Sequence, residues 1–312
     1  SIESRSVHPW PPPFNLAQIN RAGRGPCPWR GSAWPIPPRG VVDIAPRLAG
    51  EGLHGEAVAS FFTVGASLEG TTDAGDTDWA VAARRGNIDL LFDLIDSPLG
   101  EPEYHDFYAR VGHRFSDWLA VSANALAFDD QILAFDSDQE EEAAAEYLDQ
   151  YYWLRLDLGA PDGFGGRVLA AHTELESERT GSAALPGVGS GTLSDERRFT
   201  IDSLQADVWR RLGPRSLLQA GAEWREQKGL YEYSDEAAFE LLFLTPGAPT
   251  DPERTRNLRV RPSGSHSAAY LNWRFEPSTA IATDLGIRWD RGSLAERQAS
   301  RWSPRAMLMW QP

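Results

Sequence analysis

Residues 197–227, RRFTIDSLQADVWRRLGPRSLLQAGAEWREQ, limit the fold more than any other stretch of the chain. In its first half Leu204, Ala206 and Val208 fall on one face, and Gln205, Asp207 and Trp209 on the other. In its second half Leu218, Ala220, Ala222 and Trp224 oppose Gln219, Gly221, Glu223 and Arg225. A period of two sends successive side chains to opposite faces of a strand. Gly213-Pro214 between the halves is a turn signal. The stretch is therefore a β-hairpin with strands of a dozen residues or more. Soluble strands average about 5–6 residues, whereas a tilted strand needs roughly 9–11 to cross hydrocarbon.

The same unit recurs along the chain. Residues 105–115 and 118–129 form one hairpin around Ser116-Asp117. Residues 147–158 and 167–178 form another around GAPDGFGG. Residues 268–275 and 281–290 form a third around Glu276-Pro277-Ser278, and residues 302–310 make a last strand. Residues 55–70 have room for two short strands with a bend near Thr63, and residues 79–94 read as one further strand. Short connections (71–78, 116–117, 159–165, 213–215, 276–279) alternate with long ones (about 93–104, 131–146, 178–197, 229–263 and 291–300). Outer-membrane barrels have short turns at one end and long loops at the other. The acidic stretch 136–146 reads as a solvated loop with a helical turn in EEEAAAEYL; Asp136-Ser137-Asp138 carries only the beginning of a calcium loop. The expected fold is all-β, an antiparallel transmembrane barrel that is partial, with about 12 strands, and forms an open half-barrel.

Composition narrows the alternatives. The chain has 312 residues with 30 basic and 45 acidic side chains, a net charge of −15. A nucleic-acid partner would need a basic face. Cys27 is the sole cysteine, so no intrachain disulfide can form. No run of 18 apolar residues marks a transmembrane helix, which leaves a barrel open, because barrel strands alternate. Twelve tryptophans would supply interfacial girdles. Residues 1–40 hold HPWPPPF and WPIPPRG and read as an extended, disordered lead segment.

GVVDIAPR (40–47), HGEAVASFF (54–62), ASLEG (66–70) and WAVAARRGNIDLL (79–91), in that order, resemble the plug-to-barrel junction of TonB-dependent outer-membrane receptors. LGIRWD (285–290), a polar loop and SPRAMLMWQP (303–312) resemble a mid-barrel signature of the same family, with Trp289 where tyrosine is usual. The resemblance implies that residues 41–50 are the end of the plug and its linker. Residues 51–312 would then be the N-terminal part of a barrel that closes with about 22 strands. The chain is thus expected to be a fragment without signal peptide, energy-coupling box, most of the plug or the closing strands, and not to insert stably alone.

What the resemblance implies for function is active transport across the outer membrane of a Gram-negative bacterium. The cargo would be a scarce nutrient such as a ferric siderophore, cobalamin, haem or a glycan. The partners would be outer-membrane lipid and the TonB energy-coupling complex. No cofactor or metal is expected. Candidate substrate-facing residues on the inward upper wall are Tyr151, Trp153, Arg155 and Arg225, because aromatic stacking and charge-assisted hydrogen bonds suit glycans or anionic chelates. A passive porin-like barrel and a soluble all-β binding module are the alternatives. No enzyme is expected. The six histidines (8, 54, 105, 113, 172 and 266) have no ligand spacing, and Ser177 and Ser190 lie outside any G-x-S-x-G.

Overall fold

The computed structural model describes residues 52–88, 101–135, 141–159, 163–239, 253–278, 280–294 and 297–310. The expected lead segment, the GVVDIAPR strand and residues 136–140 of the acidic stretch fall outside these residues. The strands are β1 (Leu53–Ala59), β2 (Thr63–Thr71), β3 (Thr77–Gly86), β4 (Glu101–Ser116), β5 (Leu119–Phe135), β6 (Glu141–Gly159) and β7 (Phe164–Leu185). They continue with β8 (Gly189–Gly213), β9 (Ser216–Phe239), β10 (Glu253–Val260), β11 (Ser263–Ser278), β12 (Ile281–Leu294) and β13 (Arg297–Trp310). All join one antiparallel sheet in which each strand pairs with its neighbours in sequence, except that β10 and β11 both pair with β9. The path is an open meander with β1 and β13 at its edges.

β10 and β11 are one strand in all but name. Val260 pairs with Tyr231 and Ser263 with Lys228, so β9 meets both in a single unbroken register. Arg261-Pro262 interrupts the ladder because proline has no N–H to donate. Gly229 answers it by donating its own N–H to the Pro262 carbonyl at 2.8 Å. The sheet thus has the twelve-strand path that the alternation implies.

The strands are longer than the pattern indicates. β7, β8 and β9 have 22, 25 and 24 residues, about twice the crossing length. Stretches expected as long loops, 178–197 and 229–263, are mostly ladder, and β7 turns into β8 in three residues, 186–188. From Glu141 on, the expected helical turn in EEEAAAEYL is instead the start of β6, paired with β5 and β7. The bend expected near Thr63 comes earlier, where Ser60 N–H donates to the Thr63 carbonyl. β3 ends at Gly86, short of the expected residue 94. The cause of the larger misreading is physical. In 177–196 both faces are polar, so the period of two carries no apolar signal even though the backbone stays extended.

The two faces differ in kind. One presents Leu154, Leu156 and Leu158 on β6, Leu218, Ala220, Ala222 and Trp224 on β9, and Ile281, Leu285, Ile287 and Trp289 on β12. Leu154, Leu285 and Ile287 are exposed there. The apolar run ends abruptly at Gln150, at the His172–Asp202 pair (2.7 Å), at Glu226 and at Arg291. Aromatics mark both margins. Tyr152, stacked on His172, and Trp224 stand at one; Phe115, Trp118, Phe164 and Phe275 stand at the other, by the short turns. The band covers seven residues on β9 and nine on β12, against the roughly 9–11 with which a tilted strand crosses hydrocarbon. The opposite face is polar. The buried side chains among the described residues, Thr63, Tyr108, Ser122, Asn124, Asp195, Glu223, Ala268, Asn272, Asp284 and Arg288, all lie on it. Side chains crowd on the inner side of a curved sheet, and here that side is polar.

Candidate functional site

The polar face is a wall of ion pairs spaced by aromatic rings. Near the short turns Arg110 meets Asp78 at 2.8 Å. Arg155 donates to Asp157 through Nε (2.6 Å) and Nη2 (3.0 Å), and Arg167 donates to the same carboxylate at 3.0 Å. Glu223 accepts from Arg225 at 2.7 Å and lies 3.6 Å from Arg288, which also donates to Asp290 at 2.9 Å. Tyr270 donates its hydroxyl to Asp207 at 2.6 Å. On the strands' far ends Arg84 pairs with Asp106, and Arg179 and Arg197 both bond Asp195. Charges inside a barrel can be kept near neutrality in this way without a solvated core.

Tyr151, Trp153, Arg155 and Arg225 all project from this face. The first three follow one another along β6 at two-residue spacing. Arg225 stands on β9 in the same cross-strand row as Trp153, with Ala171 and Ser203 between them. Three strand intervals separate the pair by about 14 Å. The small residues make a shallow trough bounded by an indole and a guanidinium. Tyr151 packs edge-on against Phe128, with ring centroids 6.2 Å apart. By height the four sit within or at the top of the apolar band, since their outward neighbours are Tyr152, Leu154 and Trp224. β6 continues ten residues and β9 fourteen residues past them. Both arginines bond carboxylates of their own strand, in clusters whose charges balance, which lowers their pull on an anion.

Sequence reasoning passed over a second group. Arg179, Asp195, Arg197, Tyr231 and Tyr233 share the wall beyond the band, where loops were expected. The signal was present as Asp195-x-Arg197 and Tyr231-x-Tyr233, two-residue spacings that hold each pair on one face.

No protein-family model matches the sequence, and no curated protein matches it. Solved structures do match. The pyoverdine outer-membrane receptor FpvA of Pseudomonas aeruginosa, bound to pyoverdine, aligns with 85% of this chain and 45% of its own at 12% identity and a TM-score of 0.60. The ferric preacinetobactin receptor BauA of Acinetobacter baumannii covers 84% and 46% at 11% identity and a TM-score of 0.53. The RagAB peptide importer in its open-open state covers 78% and 33% at 10% identity and a TM-score of 0.53. The chain thus spans less than half the length of these proteins. Its fold is that of the TonB-dependent outer-membrane receptor barrels, in the form of an open partial barrel.

Proposed function

We propose that the chain is the N-terminal part of the barrel of an outer-membrane active transporter, its apolar face against lipid and its polar face lining the path of a scarce nutrient. The observation that carries this reading is the division of the sheet. A continuous apolar belt with aromatic margins covers one face, and a wall of paired charges covers the other. A water-soluble sheet that buries one face would bury the apolar one. Here the apolar face is the exposed one, and only lipid makes that favourable. Residues 41–50 are proposed as the end of a plug and its linker, and coupling to the TonB complex as the energy source. The neighbours are receptors for pyoverdine and ferric preacinetobactin and an importer of peptides. Their range supports a ligand carrier and leaves its class to the wall's own residues. Tyr151, Trp153, Arg155 and Arg225 are the proposed cargo contacts, within or at the upper margin of the belt.

Labelling in intact cells tests the topology. In a Cys27→Ser background, Ser190→Cys near the β7–β8 turn should react with a membrane-impermeant maleimide from outside. Ala74→Cys in the β2–β3 turn should react only after lysis. With the chain carried within its full-length barrel, equal labelling of both positions in intact cells would remove the outer-membrane reading.

A further inference from the structure

We propose that Arg179 and Arg197, gathered around Asp195 beside Tyr231 and Tyr233, form an anion-recognition site on the wall beyond the lipid belt, and that its ligand carries a planar carboxylate on an apolar ring. The proposal rests on the reading of the polar face as a ligand-facing wall. Asp195 is 4% exposed, and Arg197 donates to both its oxygens, through Nε at 2.9 Å and Nη2 at 2.8 Å. Arg179 bonds Oδ2 of the same carboxylate. Two guanidiniums on one carboxylate leave one net positive charge. A buried carboxylate needs a single guanidinium to be neutralised, so the second is surplus to the fold.

Lower on the wall the count balances. Arg155 and Arg167 stand among Asp157 and Asp207, and Arg225 and Arg288 among Glu223 and Asp290. Around Asp195 no second acid is directly opposite. Arg197 faces Ser177 and Tyr231 across the ladders, and Asp195 faces Arg179 and Tyr233. The next carboxylate up the wall, Asp235, pairs across from Arg256. The surplus charge is also reachable, because the Arg179 and Arg197 side chains are 40% and 52% exposed.

The rings define the rest of the ligand. Arg197 Cζ lies 5.1 Å from the Tyr231 centroid, and the Tyr233 ring follows at 6.5 Å. With Nε and Nη2 on Asp195, the stacked Arg197 guanidinium keeps its Nη1–Nη2 end for a second carboxylate, which it can meet with two N–H donors. The tyrosines then offer a flat apolar surface to whatever bears that carboxylate.

Benzoate is the minimal probe, with benzyl alcohol as its neutral counterpart and acetate as the anion without a ring. Binding to the full chain in detergent, followed by ligand-observed NMR, should show benzoate ahead of both in the millimolar range. Arg197→Gln should weaken benzoate at least about tenfold, the loss expected for a charge-assisted hydrogen-bonding partner, and leave benzyl alcohol unchanged. Arg179→Gln, which keeps the Arg197–Asp195 pair intact, should weaken benzoate too and serves if Arg197→Gln does not fold. Unchanged benzoate affinity in the folded variants overturns the proposal, as does benzyl alcohol binding as well as benzoate, or no benzoate binding at all. Each of these leaves the cell-labelling result, and so the outer-membrane reading, where it stood.

Discussion

Tyr270 occupies the space above Gly221. The two are direct cross-strand partners, and a Cβ built on Gly221 would stand 2.3 Å from Tyr270 Cε1 and 2.5 Å from Asp207 Oδ1. The glycine is what lets the ring cross the wall and reach Asp207 at 2.6 Å. Trp209 covers its own partner, Gly165, in the same way: its Cε2 lies 2.4 Å from the place a methyl group on Gly165 would take. Ring-over-glycine pairs thus replace an apolar core as the packing device of the polar face.

Gly221→Ala should therefore cost about 1–3 kcal/mol, the usual penalty of overpacking. Tyr270→Phe, which removes only the hydroxyl, should cost about 1 kcal/mol. Adding Tyr270→Ala to Gly221→Ala should recover part of the loss. Unfolding in denaturant with both single variants and the pair reads the coupling directly, and strict additivity would refute the ring-over-glycine account.

Glu223 holds Arg225 and Arg288 together, with Glu223 and Arg288 side chains 8% and 9% exposed. Glu223→Gln takes the carboxylate from Arg225, while Arg288 keeps Asp290 at 2.9 Å. A loss of about 3 kcal/mol is expected, because removing one partner strands the other's charge. Glu174→Gln, on an exposed pair beyond the belt, should change stability by less than about 1 kcal/mol. The same denaturation series compares them.

Leu285 lies midway along the apolar run of β12 and is exposed on its face. Leu285→Arg should oppose folding into lipid vesicles by about 2–4 kcal/mol, as charges at the bilayer midplane do. Thr200→Arg, on the same face but beyond Asp202, should cost close to nothing. Equal penalties at the two sites would show that the apolar band is not a lipid belt.

In the β2–β3 turn Asp76 accepts hydrogen bonds from Thr72 Oγ1 at 2.8 Å and Thr77 Oγ1 at 3.2 Å. The Thr72 hydroxyl, above all, holds its carboxyl below the usual range. The folded value is depressed, so the turn's contribution is full above the unfolded pKa of about 3.9. It is lost as pH falls through the folded value. Thr72→Ala should move the Asp76 titration upward toward the ordinary carboxylate range, as followed by carboxyl NMR; an unmoved titration would exclude the Thr72 hydroxyl as the cause.

How much was legible depended on contrast between faces. Where one face of a strand is apolar and the other polar, as at Leu218–Gln219–Ala220, alternation marks the strand and its orientation together. It placed Tyr151, Trp153, Arg155 and Arg225 on the inner face. Beyond the belt both faces are largely polar, so residues 178–197 and 229–239 lost that contrast and read as loops while their backbones stay in the ladder. The Gly/Ser stretch LPGVGSG reads as an extended loop, yet it holds a three-residue turn between two ladder ends.

What the sequence determined by itself is the period of two, and with it the strands, the short turns and the face each belt residue shows. These are local properties, set by side chains two apart on one backbone. The tertiary structure alone decided which strands run on beyond the belt and which carboxylate each arginine meets. It also brought Arg179 of β7, Asp195 and Arg197 of β8 and Tyr231 of β9 onto one patch. Those facts depend on inter-strand register, which pairs residues tens of positions apart and leaves no periodic trace along the chain.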